Sequence, residues 1–233
     1  MMPVAHVVVV IPAHDEQDRL DATLVAVAAA RRRLPARVTS SCVVAVDAST
    51  DATAAVARRR GDTVVTLDER CVGAARRAGT ARGLADASAI ASKAVWIAST
   101  DADTVVPVTW LTTQLALAHR GADAVAGTVT LHGDGDADSA LVERFSRYYA
   151  LDPDGSHGHV HGCNLGMRAS TYVAAGGWRP LATGEDHDLW RRLGAVGAVT
   201  AIATLTVATS ARRRGRAPRG FADDLVALEA GAA

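Results

Sequence analysis

The chain is expected to fold as an α/β domain around a mostly parallel sheet. Three observations lead there. Short β-branched runs alternate with Ala-rich helical stretches over residues 7–103, the pattern of βαβ units with right-handed crossovers. Apolar residues make up 49% and charged residues 21% of the 233, which suits one packed domain and argues against disorder. Carboxylates stand at the ends of three apolar runs, where an open parallel sheet binds its ligands.

Val7 to Ile11 is a continuous β-branched run stopped by Pro12, and it reads as a buried parallel strand. Asp15-Glu16 then opens an amphipathic helix through Leu20, Leu24 and Val27 to Arg33. Val43 to Val46 is a second strand ending at Asp47, and Ser49-Thr50-Asp51 caps an Ala-rich helix up to Arg60, since these side chains accept from free amides at a helix start. Val64 to Leu67 is a third strand. Gly73 to Asp86 is a further Ala-rich helix carrying Arg76, Arg77 and Arg82. Ala94 to Ala98 is a fourth strand and runs into Asp101-Ala102-Asp103.

The second half is less regular. Trp110 to His119 reads as a helix, Ala124 to Leu131 as a strand, Gly133 to Asp138 as a loop and Val142 to Leu151 as a helix. His157 to Met167 reads as strand-like, Glu185 to Leu193 as a helix and Val199 to Val207 as a strand, followed by a basic and then amphipathic tail. No repeat or linker divides the chain.

Several classes drop out on composition. The 25 basic and 25 acidic side chains balance, so the basic field that nucleic acid requires is missing. Cys42, Cys71 and Cys163 are too few and too scattered for a disulfide framework or a structural zinc site, and they read as reduced thiols in a cytoplasmic protein. The N-terminus lacks the basic region and cleavage site of a secretory signal. No run approaches the about 20 apolar residues that span a bilayer, so membrane contact would be peripheral.

Asp101-Ala102-Asp103 is the sharpest local feature. Residues two apart on an extended backbone point the same way, and two carboxylates on one face are hard oxygen donors for Mg²⁺ or Mn²⁺. A solvated turn is the plain alternative. Glu185-Asp186 reads either as a pair whose like charges raise proton affinity, useful in a general base, or as acidic residues favoured at a helix start. His157, His159 and His161 read as a polar strand beside a cleft, as a zinc cluster, or as supplying one ligand to an ion at Asp103. The run Arg212-Arg213-Arg214-Gly215-Arg216 has three readings: closing over a diphosphate, touching an anionic lipid surface, or lying solvated.

Five segments together carry a resemblance: residues 11–16 (IPAHDE), 46–51 (VDASTD), 101–103 (DAD), 162–168 (GCNLGMR) and 184–189 (GEDHDL). In their order and spacing they resemble family-2 glycosyltransferases over about residues 7–195. The resemblance implies a single GT-A domain over residues 1–233, a Rossmann-like, mostly parallel sheet flanked by helices with a smaller antiparallel part on the acceptor side. About 1–105 would bind the nucleotide-sugar and about 106–210 the acceptor, with 211–233 a basic and helical tail. It implies a nucleotide-diphosphate sugar donor, UDP- or GDP-linked, a small or lipid-linked hydroxyl acceptor, and Mn²⁺ or Mg²⁺.

By the same resemblance, Pro12, Ala13 and Glu16 would line the nucleotide pocket, Asp47 would bond the base edge, and Gly73 and Arg77 would contact the donor. Asp103 would hold the metal between the phosphates, and Asp101 would approach the ribose or the metal. Gly162, Cys163, Asn164 and Trp178 would face the acceptor. Asp186, beside Glu185, would be the base of an inverting transfer. A sugar nucleotidyltransferase is the rival within the fold, but it would want a Gly-rich, Arg-containing loop after the first strand, where Pro12 to Glu16 stands. A dinucleotide oxidoreductase would want G-x-G-x-x-G there. A non-catalytic sugar-nucleotide or glycan binder is the rival outside enzymes.

Overall fold

The computed structural model describes residues 2–60, 63–132, 139–148, 157–213, 215 and 221–229, without the side chains of residues 139, 140, 147, 148 and 224. The strands are β1 (His6–Ala13), β2 (Thr39–Asp47), β3 (Thr63–Leu67), β4 (Val95–Ser99), β5 (Thr104–Val105), β6 (Ala124–His132), β7 (Leu165–Arg168) and β8 (Val199–Ser210). The helices are α1 (Leu20–Arg32), α2 (Thr53–Arg59), α3 (Val72–Asp86), α4 (Trp110–His119), α5 (Ser139–Tyr148), α6 (Ala169–Ala174), α7 (Glu185–Gly194) and α8 (Phe221–Glu229).

All eight strands form one sheet in the order β3-β2-β1-β4-β7-β6-β8-β5. The β3-β2-β1-β4 half is parallel throughout. β7 runs antiparallel to both β4 and β6, β8 is parallel to β6, and β5 is antiparallel to β8. The expected mixed α/β sheet, mostly parallel with an antiparallel part, is what the chain forms.

Strand periodicity explains the two cores. Val7, Val9 and Ile11 point to one face, where they join Leu20, Leu24, Val27, Val56, Trp110 and Leu111. Val8 and Val10 point to the other, with Ile97, Met167, Trp178, Leu189 and Leu193. Both faces of β1 are covered, so its sequence is an unbroken apolar run and does not alternate. On the second face α3 lies close to the sheet because its facing residues are small. A Cβ on Gly83 would come 2.2 Å from Val8 Cγ1, and one on Gly79 2.8 Å from Val10 Cγ1.

Three boundaries depart from expectation. α1 begins at Leu20, not at Asp15-Glu16. Residues 14–19 instead interlock with the segment after β2: Asp15, at φ +50, accepts from Thr50 N–H at 2.7 Å, and Glu16 N–H donates to Thr53 Oγ1 at 2.8 Å. The strand expected over His157–Met167 is confined to β7, after a 3-10 turn at Gly162–Asn164. There Gly162 N–H is taken by the Asp186 carboxylate and its carbonyl by Arg76, so neither group is left for a ladder. α5 starts three residues earlier than expected, at Ser139, while residues 149–151 and the expected loop at 133–138 lie outside the described residues. β5 and α6 had no clear sequence signal. Among the described residues no helix is long and apolar enough to cross a membrane.

Asn164 secures the junction of β6 and β8. Their register jumps from Gly127↔Ile202 to Thr128↔Thr206, which leaves carbonyls unpaired. Asn164 Nδ2 donates to two of them, Thr128 O at 2.8 Å and Leu205 O at 2.7 Å, while its Oδ1 accepts the Trp110 indole N–H at 2.9 Å. Replacing it by alanine strands three buried polar groups, each worth about 1–3 kcal/mol. Asn164→Ala is therefore expected to lower unfolding free energy by about 3 kcal/mol or more in urea titration; a loss below about 1 kcal/mol would contradict this role.

Candidate active site

The ends of β1, β2 and β4 open onto one cleft of about 640 Å³. Pro12, Ala13, His14 and Glu16 come from the first end, Asp47 from the second, and Asp101, Ala102 and Asp103 from the third. The opposite wall is Gly162, Cys163 and residues 182–187 at the start of α7, with Arg212, Gly215, Phe221 and Ala222 from the C-terminal segment.

Asp47 sets one end of the cleft. Its carboxylate accepts three successive backbone amides, Glu69 at 2.7 Å, Arg70 at 3.0 Å and Cys71 at 2.7 Å. The loop thus wraps around a buried charge and holds Arg70 at φ +48 just before α3. The buried carboxylate remains part of the cleft wall.

Arg76 sets the centre. It is fully enclosed, and its guanidinium donates to Ser99 Oγ at 2.6 Å, Gly162 O at 3.0 Å, Asp101 Oδ1 at 2.7 Å and Glu185 Oε1 at 3.1 Å. Its remaining face lies 5.3 Å from the Trp178 ring, a cation–π contact in a dry site. Burial alone would lower its pKa, but Asp101 and Glu185 beside it more than offset this and raise it.

Asp103 lies beyond Asp101. Burial raises its pKa; Arg212 opposes that rise and Asp101 adds to it. Arg212 forks between two carboxylates, Nη1 to Glu16 Oε1 and Nη2 to Asp103 Oδ2 at 3.0 Å. Its guanidinium is a cation placed where two desolvated carboxylates need one.

On the far wall, Glu185 and Asp186 divide their work. Glu185 is buried against Arg76; burial raises its pKa, Arg76 opposes this and Asp186 adds to it. Asp186 is half-buried, its Oδ2 accepting Gly162 N–H at 2.8 Å and its Oδ1 accepting His187 N–H at 2.8 Å. Cys163 is a wall residue: burial first, and then nearby Asp101, keep its thiol protonated, which is not how a nucleophilic thiolate is held.

The three histidine rings follow one another, the last two stacked. His157 and His159 rings are 6.0 Å apart; His159 and His161 are 6.3 Å apart and nearly parallel, at 6°. His161 meets Phe221 edge-on at 5.8 Å. Among the described residues no group of three or more His, Cys, Asp or Glu is arranged to cage a metal ion, and a ring stack of this kind gives the zinc reading no support.

Ten of the expected site residues therefore meet: Pro12, Ala13, Glu16, Asp47, Asp101, Asp103, Gly162, Cys163, Glu185 and Asp186. Gly73, Arg77, Asn164 and Trp178 do not line the cleft. Gly73 allows α3 to abut residues 179–181, where a Cβ would sit 2.2 Å from Arg179 O. Trp178 is buried behind Arg76, and Asn164 belongs to the strand junction. Arg77 is exposed, and its neighbour Arg76 holds the inward position. The signal was present: Arg76, Gly79 and Gly83 fall at helical spacing on one small-residue face. Arg212 sits in a basic run, and nothing local singles it out from its neighbours.

The sequence profile described as Glycosyl transferase family 2 matches residues 8–173. Comparison with curated proteins gives no match. Among solved structures, TarS 1-349 of S. aureus in complex with UDP-GlcNAc aligns with a TM-score of 0.65 at 12% identity, over 91% of this chain and 60% of that one. Glucosyl-3-phosphoglycerate synthase of Mycobacterium tuberculosis, in complex with Mn²⁺, UDP-glucose and phosphoglyceric acid, aligns with a TM-score of 0.58 at 18% identity, over 98% and 77%. A mycobacterial protein aligns with a TM-score of 0.61 at 18% identity, over 98% and 72%. At these identities the likeness is one of fold, and the chain spans 60% of the TarS chain.

Two expected outcomes follow from the electrostatics. Arg76→Leu leaves Glu185 and Asp101 without their shared cation, so unfolding free energy should fall by about 3–5 kcal/mol; an unchanged urea midpoint would refute the bridge. Burial lowers the His161 pKa from 6.5 to about 4, with Asp186 opposing and the neighbouring histidines adding. Between those values the unfolded chain takes a proton that the folded one refuses, so stability falls as pH drops from 6.5 to 4. His161→Gln should remove about 3 kcal/mol of that fall, read as the wild-type minus variant difference in urea unfolding at pH 7 and pH 4.

Proposed function

The chain belongs to glycosyl transferase family 2, and from that premise we propose that it transfers a sugar from a nucleoside-diphosphate sugar to an acceptor hydroxyl. The observation that carries this reading is the cleft itself: Asp101 and Asp103 on one wall, Asp186 on the other, with Arg76 bonded to Asp101 and to Glu185 beside that base. The UDP-sugars bound by TarS and by glucosyl-3-phosphoglycerate synthase support UDP as the donor nucleotide.

In this reading the nucleoside lies between Pro12, Ala13 and the Asp47 loop, and the diphosphate points toward Asp103. The residues fit a divalent ion in part. Asp101 and Asp103 are two hard oxygen donors, and Asp103 is buried beside a like charge, a setting that calls for a cation; the remaining positions would fall to phosphate and water oxygens. Such an ion, when bound, neutralises charge on the leaving diphosphate.

The chain's own residues do the rest. Asp186 is oriented by the Gly162 and His187 amides and has access to the cleft, so it serves as the base that takes the acceptor proton. Glu185 is committed to Arg76 and acts by fixing that guanidinium. As the acceptor O–H gives its proton to Asp186, its oxygen bonds to the anomeric carbon. The bond from that carbon to the diphosphate breaks, and the nucleoside diphosphate leaves with the electron pair. Attack opposite the leaving group inverts the anomeric centre. Burial of Arg76 under Trp178 keeps water from its guanidinium and from the bond to Glu185.

The test separates binding from transfer. A thermal-shift panel of UDP-, GDP- and dTDP-sugars with Mn²⁺ identifies the donor by stabilisation of the native state. Asp186→Asn should leave the Kd for that donor within about twofold and lower sugar transfer or donor hydrolysis by about 10²–10⁴. Unimpaired turnover in that variant would sink the assignment of the base; nucleotide binding without turnover in wild type, to water or any acceptor, would favour a binding protein.

A further inference from the structure

Arg212 is the cation nearest Asp103, and nothing in the proposed transfer chemistry uses it. It stands two residues beyond the end of β8 at Ser210, outside the ladder, with Arg212 N–H to Ser210 Oγ at 3.3 Å as its local tie. Its neighbour Arg213 pairs with Glu229 of α8. From this position one guanidinium spans two separate strand ends, Glu16 after β1 and Asp103 after β4. The side chain is 18% exposed, Glu16 4% and Asp103 12%, so little water screens the contacts.

We propose that Arg212 sets the metal affinity of this cleft: its guanidinium stands in for the divalent ion at Asp103 in the nucleotide-free protein and transfers to the donor diphosphate when ion and nucleotide bind together. The inference rests on the reading of Asp103 as an ion ligand. A divalent ion approaching Asp103 meets a fixed positive charge within a few ångströms and must also replace a charge-assisted hydrogen bond. In a part-buried site, repulsion of that kind costs about tenfold or more in affinity. The exchange needs no rearrangement of β8, because the ladder ends at the pair His132↔Ser210 and Arg212 lies beyond it. Once released, the guanidinium remains on the cleft wall, and its planar fork matches two phosphate oxygens as it matches two carboxylates.

The two halves of the exchange predict effects of opposite sign, which loss of structure would not produce. Mn²⁺ binding is read by electron paramagnetic resonance of the free ion, without nucleotide, and UDP binding by calorimetry with Mn²⁺ saturating. Arg212→Ala should tighten Mn²⁺ by about tenfold and weaken UDP by about tenfold. Arg212→Lys keeps one charge near Asp103 but lacks the fork, and it should tighten Mn²⁺ less than alanine does. An unchanged or weaker Mn²⁺ affinity in Arg212→Ala overturns the stand-in, and an unchanged UDP affinity overturns the transfer to diphosphate. Asp103→Asn separates the premise from the inference. It should abolish Mn²⁺ binding in both backgrounds; if it does not, the ion reading of Asp103 falls and the proposal falls with it.

Discussion

The two walls of the cleft are held to each other by one buried guanidinium. Arg76 takes its partners from β4, from the segment after it, from the turn before β7 and from the start of α7. A guanidinium removed from water is tolerated when its N–H groups are answered and its charge is matched. Those four elements are therefore bound to one arrangement, and loss of any partner exposes the cost of the rest. The distance from Asp101 to Glu185 is not free to vary independently of Arg76. In the proposed chemistry that geometry is the separation between the donor end and the base, which has to hold to within a fraction of an ångström for in-line attack.

Local signals made half of this legible. β-branched runs gave β1 to β4, and carboxylates at their ends marked the sheet edge on which the cleft opens. Roles that depend on distant partners were not legible. Arg76 and Arg77 are chemically identical in sequence, and a single helical step of about 100° sends one under Trp178 and the other to solvent. Asn164 lies in a segment that resembles an acceptor loop, yet its amide answers carbonyls freed by a register jump between β6 and β8. That jump pairs residues about 75 positions apart, and no local pattern announces it. The strand expected through His157 to Met167 failed for a related reason, since Asp186 and Arg76 take the Gly162 backbone groups that a ladder would need.

Residue type also underdetermines what the acidic side chains do. Asp47 uses its charge on three consecutive amides and thereby shapes a loop. Asp101 answers Arg76, Asp103 answers Arg212, Glu185 answers Arg76, and Asp186 is steadied by two amides while it faces the cleft. The motif places the carboxylates; the groups packed against each one decide whether it anchors, balances or is left available to react.

The charge balance of the cleft then bears on how ligands enter. Glu16, Asp101, Asp103, Glu185 and Asp186 line it; buried Arg76 pairs with Asp101 and Glu185, and part-buried Arg212 with Glu16 and Asp103. A bare diphosphate would meet an acidic wall and be repelled, while a divalent ion alone would meet Arg212 at the carboxylate it needs. In the proposed reading each obstacle would be removed by the other ligand, because the diphosphate would give Arg212 somewhere to go and the ion would cancel the acidic wall. Binding of nucleotide and ion would thus be mutually dependent without any large movement of the sheet, the coupling residing in which anions one guanidinium faces.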